Sequence, residues 1–152
     1  MGGAVGLLSG CSAVDLPLAG VRIEANGAPH ALLRPCGDDE YINPSLDGWT
    51  GSAEDGTSTT GWEVDKENLQ GDADFPLFSP PADWQARHLG AQSLLPKHRY
   101  SLRFGHYITP DSYNGVVEFS AEDIGKLEPG QVWADGRAMS LDEFEELAED
   151  SC

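Results

Sequence analysis

The sequence predicts a mainly β protein: an antiparallel β-sandwich of the immunoglobulin-like kind, closed by a short C-terminal helix. Three observations predict it. Segments of period-2 alternation recur, clearest over residues 99–107, where Tyr100, Leu102 and Phe104 alternate with Arg99, Ser101 and Arg103; that pattern marks a strand with one buried face. Turn-forming residues separate the segments, with 18 Gly and 10 Pro in 152 residues. The clearest helical periodicity lies close to the C-terminal end. Strand following strand disfavours a doubly wound α/β fold. A small α+β domain, with the last helix packed on one sheet, is the alternative.

Taken in order, residues 1–10 read as a lipoprotein signal peptide, 11–17 as a tether and 18–152 as one globular domain. Val21, Ile23 and Ala25 alternate with Arg22, Glu24 and Asn26, and Asn26-Gly27 then signals a hairpin, because both residues tolerate positive φ. Residues 29–33 form the returning strand, which closes at Pro35-Cys36. Residues 37–61 are rich in Gly, Ser, Thr and Asp, hold Trp49, and are expected to be mostly loop. A short strand is expected over 62–65, a turn-rich stretch anchored by Phe75, Leu77 and Phe78 over 69–83, and an extended segment over 86–89.

The clear strand 99–107 leads through Thr109-Pro110-Asp111-Ser112 into an antiparallel partner, 115–120, with Val117 and Phe119 on one face. Ser120 as N-cap and Asp123 at the third position start a helical turn that Pro129-Gly130 ends. A strand over 131–134 points Val132 inward. Ser140 caps a final helix over 141–149, whose buried stripe is Leu141, Phe144 and Leu147 or Ala148.

The bulk numbers bound the function. Removing the leader leaves about 140 residues, enough for one domain with a core. The formal charge is −17. Nucleic acid is disfavoured, since phosphate binding needs clustered Lys and Arg, and so is adsorption to anionic lipid by charge. Membrane contact is expected through a lipid anchor alone.

That anchor is read from Leu7-Leu8-Ser9-Gly10-Cys11. Small residues at Ser9 and Gly10 suit a signal peptidase, Leu8 ends an apolar run, and the Cys11 thiol would take the diacylglycerol. Two acyl chains hold a protein stably to a bilayer where one does not. No Lys or Arg precedes Arg22, so the signal peptide is read as incomplete, with a basic leader expected upstream of Met1. If Cys11 is lipidated, Cys36 and Cys152 remain, and an even pair in an exported protein predicts a disulfide.

No catalytic residue is assigned. The Gly-x-Ser-x-Gly elbow, the Ser-x-x-Lys pair and the phosphate-binding glycine loop do not occur. His98 and His106 share a face but stand about 26 Å apart along a regular strand, so they read as strand-end residues. His30 and His88 show no partner in sequence. Asp38-Asp39-Glu40, Asp72, Asp74, Asp47 and Asp55 do not match the twelve-residue calcium loop, and no metal or cofactor is expected. The acidic last helix, Glu143 to Asp150, reads as a solvated face. The four Trp read as core, with a carbohydrate-lining role as the alternative.

The run from Tyr100-Ser-Leu-Arg-Phe through Gly115-Val-Val-Glu-Phe-Ser, then Asp123-Ile124, Leu127 and Pro129-Gly130-Gln131-Val132-Trp133, resembles small actinobacterial lipoproteins of unknown function. The lipobox and Arg34-Pro35-Cys36 fit that resemblance, which covers most of the chain and carries no catalytic motif. It implies an extracytoplasmic domain held to the cell membrane by lipid. The expectation is a non-enzymatic module that binds a protein or cell-wall partner, with an envelope hydrolase, its site assembled from scattered residues, as the alternative.

Overall fold

A computed structural model describes residues 13–51, 57–107 and 111–152. Two sheets face each other across a common core. One has six strands in the order β1 (Val14–Leu16), β9 (Tyr113–Ser120), β8 (His98–His106), β4 (Ile42–Thr50), β5 (Thr60–Glu63) and β7 (Arg87–Leu89). The other has five, in the order β11 (Arg137–Met139), β10 (Val132–Ala134), β2 (Ala19–Ile23), β3 (Pro29–Leu33) and β6 (Ala73–Pro76). Among the described residues, two short α-helices, α1 (Ala121–Gly125) and α2 (Leu141–Ser151), and a 3-10 turn (Ala82–Trp84) complete the order. The fold is the expected mainly β, sandwich-like domain with a short C-terminal helix.

The inward faces supply the main core. Tyr100, Leu102 and Phe104 of β8 meet Val117 and Phe119 of β9, with Val21, Ala31, Leu33, Phe75 and Trp62 from neighbouring strands, all buried. Tyr100 stacks on Phe119 with ring centroids 5.5 Å apart. A second, smaller core lies on the outside of the five-stranded sheet. There α2 lays Phe144 over Leu32, Val132, Ala134 and Met139. Gly20 permits that approach: a Cβ at this position would lie 2.9 Å from Val132 Cγ1 and 3.2 Å from Phe144 Cε1.

Both helices start as the sequence predicts. Ser120 accepts from the Asp123 N–H while Asp123 accepts from the Ser120 N–H, and Ser140 and Glu143 repeat the arrangement. Each reciprocal pair satisfies two amides that would otherwise lack partners at a helix start. Arg34 then ties α2 to the sheet, its Nε donating to Glu145 Oε1 at 2.5 Å and its guanidinium standing 5.9 Å from the Phe144 ring centroid.

Four expectations are corrected. Residues 42–50, expected as loop, form the nine-residue β4 at the centre of the larger sheet, and Trp49 belongs to it. Val14–Leu16, within the expected tether, is a strand that pairs with β9 in parallel, while all other strand pairings are antiparallel. The β2–β3 hairpin turns through Ala25-Asn26-Gly27 rather than two residues: Gly27 N–H donates to Glu24 O, and Glu24 N–H to Ala28 O. Only Gly27 takes a positive φ, 85°, as in a type I turn closed by a glycine bulge. The chain also makes a strand not anticipated, β11, through Asp135-Gly136, with φ of 52° and 75°.

Candidate functional site

Among the described residues, the outward face of the six-stranded sheet carries cavities along β4, β8 and β9. Alternation places Asp47 and Trp49 of β4, Arg99, Ser101 and Arg103 of β8, and Val116 and Glu118 of β9 on this face, opposite the core residues between them. Register brings them side by side: Asp47 is paired with Ser101, Ser101 with Glu118, and Trp49 with Arg99.

Two cavities lie on this face and adjoin. The larger, about 620 Å³, is a cleft where β9 runs beside β10 of the other sheet. Asp15 to Pro17, Arg99, Glu118, Asp123, Trp133 and Asp135 line it. Trp133 is fixed by its indole N–H, which donates to Glu118 O at 3.0 Å. The second, about 300 Å³, is lined by Asp47, Trp49, Ser58, Ser101, Arg103 and again Glu118. The two share Glu118 and together make a groove with a half-buried indole in each part, several carboxylates and two arginines.

Electrostatics single out Asp47. Burial pushes its carboxyl above the usual carboxylate range, and Glu63 adds to that, while the Ser58 hydroxyl and Arg103 pull it back. Desolvation disfavours the charged form of an acid. Strands supply most of these side chains, while Pro17, Ser58, Asp123 and Asp135 come from segments between or beside them.

The other expected positions are placed as follows. Cys36 and Cys152 are joined by a disulfide, Sγ to Sγ 2.08 Å and Cα to Cα 5.6 Å. Cys11 and Asp55 lie outside the described residues, as do Thr109 and Pro110 of the expected turn. His98 stacks on Tyr100, and its Nδ1 lies 3.0 Å from Pro96 O. His106 is only 3% exposed. Its Nδ1–H donates to Glu40 O at 2.6 Å, and its Nε2 lies 3.8 Å from Asp39 Oδ2.

Tyr113 completes that cluster. Its hydroxyl donates to Asp39 Oδ2 at 2.9 Å and accepts from Cys36 N–H at 3.1 Å. Burial pushes the phenol up to about 12. The cluster is closed to solvent at His106 and clamps residues 36–40 against the ends of β8 and β9. It serves structure.

Two of the four Trp, Trp62 and Trp84, are core as expected; Trp49 and Trp133 are half-buried in the groove. The acidic last helix is not only a solvated face, since Glu145 pairs with Arg34 and Glu143 caps the helix. On the other sheet, His30 meets Asp74 and Glu24, partners that lie far away in sequence or across a turn. These three are the one group of His, Cys or carboxylate side chains among the described residues that is close enough to share a metal ion.

No protein-family model, curated protein or solved structure matches the chain.

Proposed function

We propose that the chain is a lipid-anchored extracytoplasmic binding domain. Cys11 carries the lipid, and the groove on the six-stranded sheet holds an extended, polar cell-wall glycan. One observation carries the reading: the two cavities meet at Glu118 on the same outward face, each with an indole beside carboxylates and an arginine. Exposed aromatic surface with a few fixed polar groups is how proteins orient ligands in preformed sites. Sugar rings offer both halves of that match, C–H faces for an indole and hydroxyls for carboxylate and guanidinium. Asp47 supports the reading as well, because a carboxylate held at a cost in desolvation is characteristic of functional sites.

Tryptophan fluorescence tests this with muramidase-solubilised peptidoglycan added to the oxidised, folded domain. A saturable change is expected, lost in Trp133→Ala while the melting transition is retained. Absence of any change, or an identical change in that variant, would end the glycan reading. Crosslinking in intact cells then tests the alternative occupant, a partner protein.

A further inference from the structure

We propose that Glu24, His30 and Asp74 form a binding site for one divalent transition-metal ion of the zinc class. They lie on the outer side of the five-stranded sheet, away from the groove, and the proposal does not depend on the glycan reading. Glu24 directly follows β2, His30 is in β3 and Asp74 is in β6, three strands in adjacent hydrogen-bonded pairs. The sheet therefore fixes the spacing of the three backbones before any ion arrives.

The ligand atoms already have coordination spacing. His30 Nδ1 lies 3.1 Å from Asp74 Oδ1 and 3.3 Å from Glu24 Oε1, and the three ligand atoms all fall within 4.8 Å of one another. Around tetrahedral zinc, bonds of about 2.0–2.1 Å put neighbouring ligand atoms about 3.3 Å apart. Two edges of such a tetrahedron are thus present without the ion. Three protein ligands leave the fourth position to water or another donor atom.

Arg22 shows how the carboxylates stay together without metal. Its Nη2 lies 2.6 Å from Glu24 Oε1 and 3.1 Å from Asp74 Oδ2. At Asp74 the guanidinium and the imidazole use opposite oxygens, so an ion at Oδ1 leaves the arginine contact in place. At Glu24 they share Oε1, and the carboxylate must turn to offer its second oxygen to one of them. Arg22 then orients the ligands as outer hydrogen-bonding groups do around metal centres.

Charge and ligand type select the ion. Two carboxylates and one guanidinium sum to −1, and the whole chain carries −17, which favours the arrival of a cation. One imidazole with two carboxylates suits zinc and its first-row neighbours. Calcium takes six or more oxygens, and magnesium keeps most of its water. Hydrogen bonding of His30 to the two carboxylates would give the same spacing without metal, so the test must separate an ion site from a polar network.

Zinc chloride titrated into the oxidised full chain, followed by calorimetry and by NMR of the histidine ring signals, does so. One ion per chain is expected, with the His30 ring signals shifting while those of buried His106 stay fixed. His30→Ala and Asp74→Asn should each weaken binding by about tenfold or more, with the melting transition retained in at least one of them. Calcium chloride should leave the His30 signals unmoved. No His30 shift at millimolar zinc would overturn the proposal. So would unchanged, wild-type zinc affinity in both variants, which would move the ion to another carboxylate cluster such as Asp38-Asp39-Glu40.

Discussion

Phe104 lays its ring over Gly115, its direct cross-strand partner on β9: a Cβ at position 115 would stand 2.2 Å from Phe104 Cε1. Tyr100 covers Gly48 of β4 in the same way, with Cε1 at 2.6 Å from the corresponding point. The two glycines leave room in the core for these two rings. Gly115→Ala should therefore destabilise by about 1–3 kcal/mol through overpacking, and Phe104→Ala by about 3–5 kcal/mol through loss of a buried ring. In the double variant the two losses should fall short of their sum, since the residues touch. Urea midpoints at constant slope read this out, and an unchanged midpoint for Phe104→Ala would place the ring outside the core.

Cys36→Ser should lower stability by removing the cross-link to Cys152, which spans a sequence separation of 116. The chain-entropy account gives about 4–5 kcal/mol for a loop of that size. The larger part of the loss should be felt at α2, which the bridge holds together with Phe144 and Arg34. Alkylation of the unreduced protein, read by mass spectrometry, checks the bond itself: free thiols at both positions would refute it.

Asp47→Asn should stabilise the domain near pH 7 and weaken glycan binding in the same variant. The sign follows from burial, which raises the folded-state pKa above the ordinary value of 3.8. Below that value the carboxyl is neutral folded and unfolded, and the group carries no penalty. As pH rises through the raised folded pKa, the unfolded chain ionises more readily, and that share of stability is lost. The advantage of Asn should shrink to nothing as thermal melts are taken down towards pH 3. A constant advantage at all pH values would assign the effect to packing instead.

Cys11→Ser, expressed with its native leader, should move the protein from the detergent phase to the aqueous phase. Equal partitioning of both forms would remove the anchor from the proposed function.

The strands with alternating large apolar residues, β8 and β9, were legible in the sequence, as were the N-caps Ser120 and Ser140 and the pairing of the two cysteines. β4 was not, although its inward positions Pro44, Leu46 and Gly48 are all buried. Glycine that makes room for Tyr100 reads the same in sequence as glycine that makes a turn. Pro44 lies beside an irregularity in register between Ile42 and Ser45, and Asn43 takes a φ of 49°; proline is tolerated in strands at such bulges. β11 did leave a signal, the Asp135-Gly136 pair of a two-residue hairpin. The groove left none, because only the strand order brings Trp49 and Trp133 to neighbouring cavities. His30 and Asp74, 44 residues apart, are joined by the β3·β6 pairing and by nothing local.

The parallel pairing of β1 with β9 also decides how the domain would respond to force. Val14, Asp15 and Leu16 run alongside Tyr113, Asn114 and Gly115, and Asn114 Nδ2 donates to Asp15 Oδ1 at 3.1 Å. Tension applied through the N-terminal side of β1 along the strand would load these contacts together, in shear, rather than peel them one at a time. Asp15 to Pro17 also line the larger cavity, so a pull strong enough to slide β1 would deform the groove. For a domain anchored at Cys11, load on the tether and occupancy of the groove would be mechanically coupled.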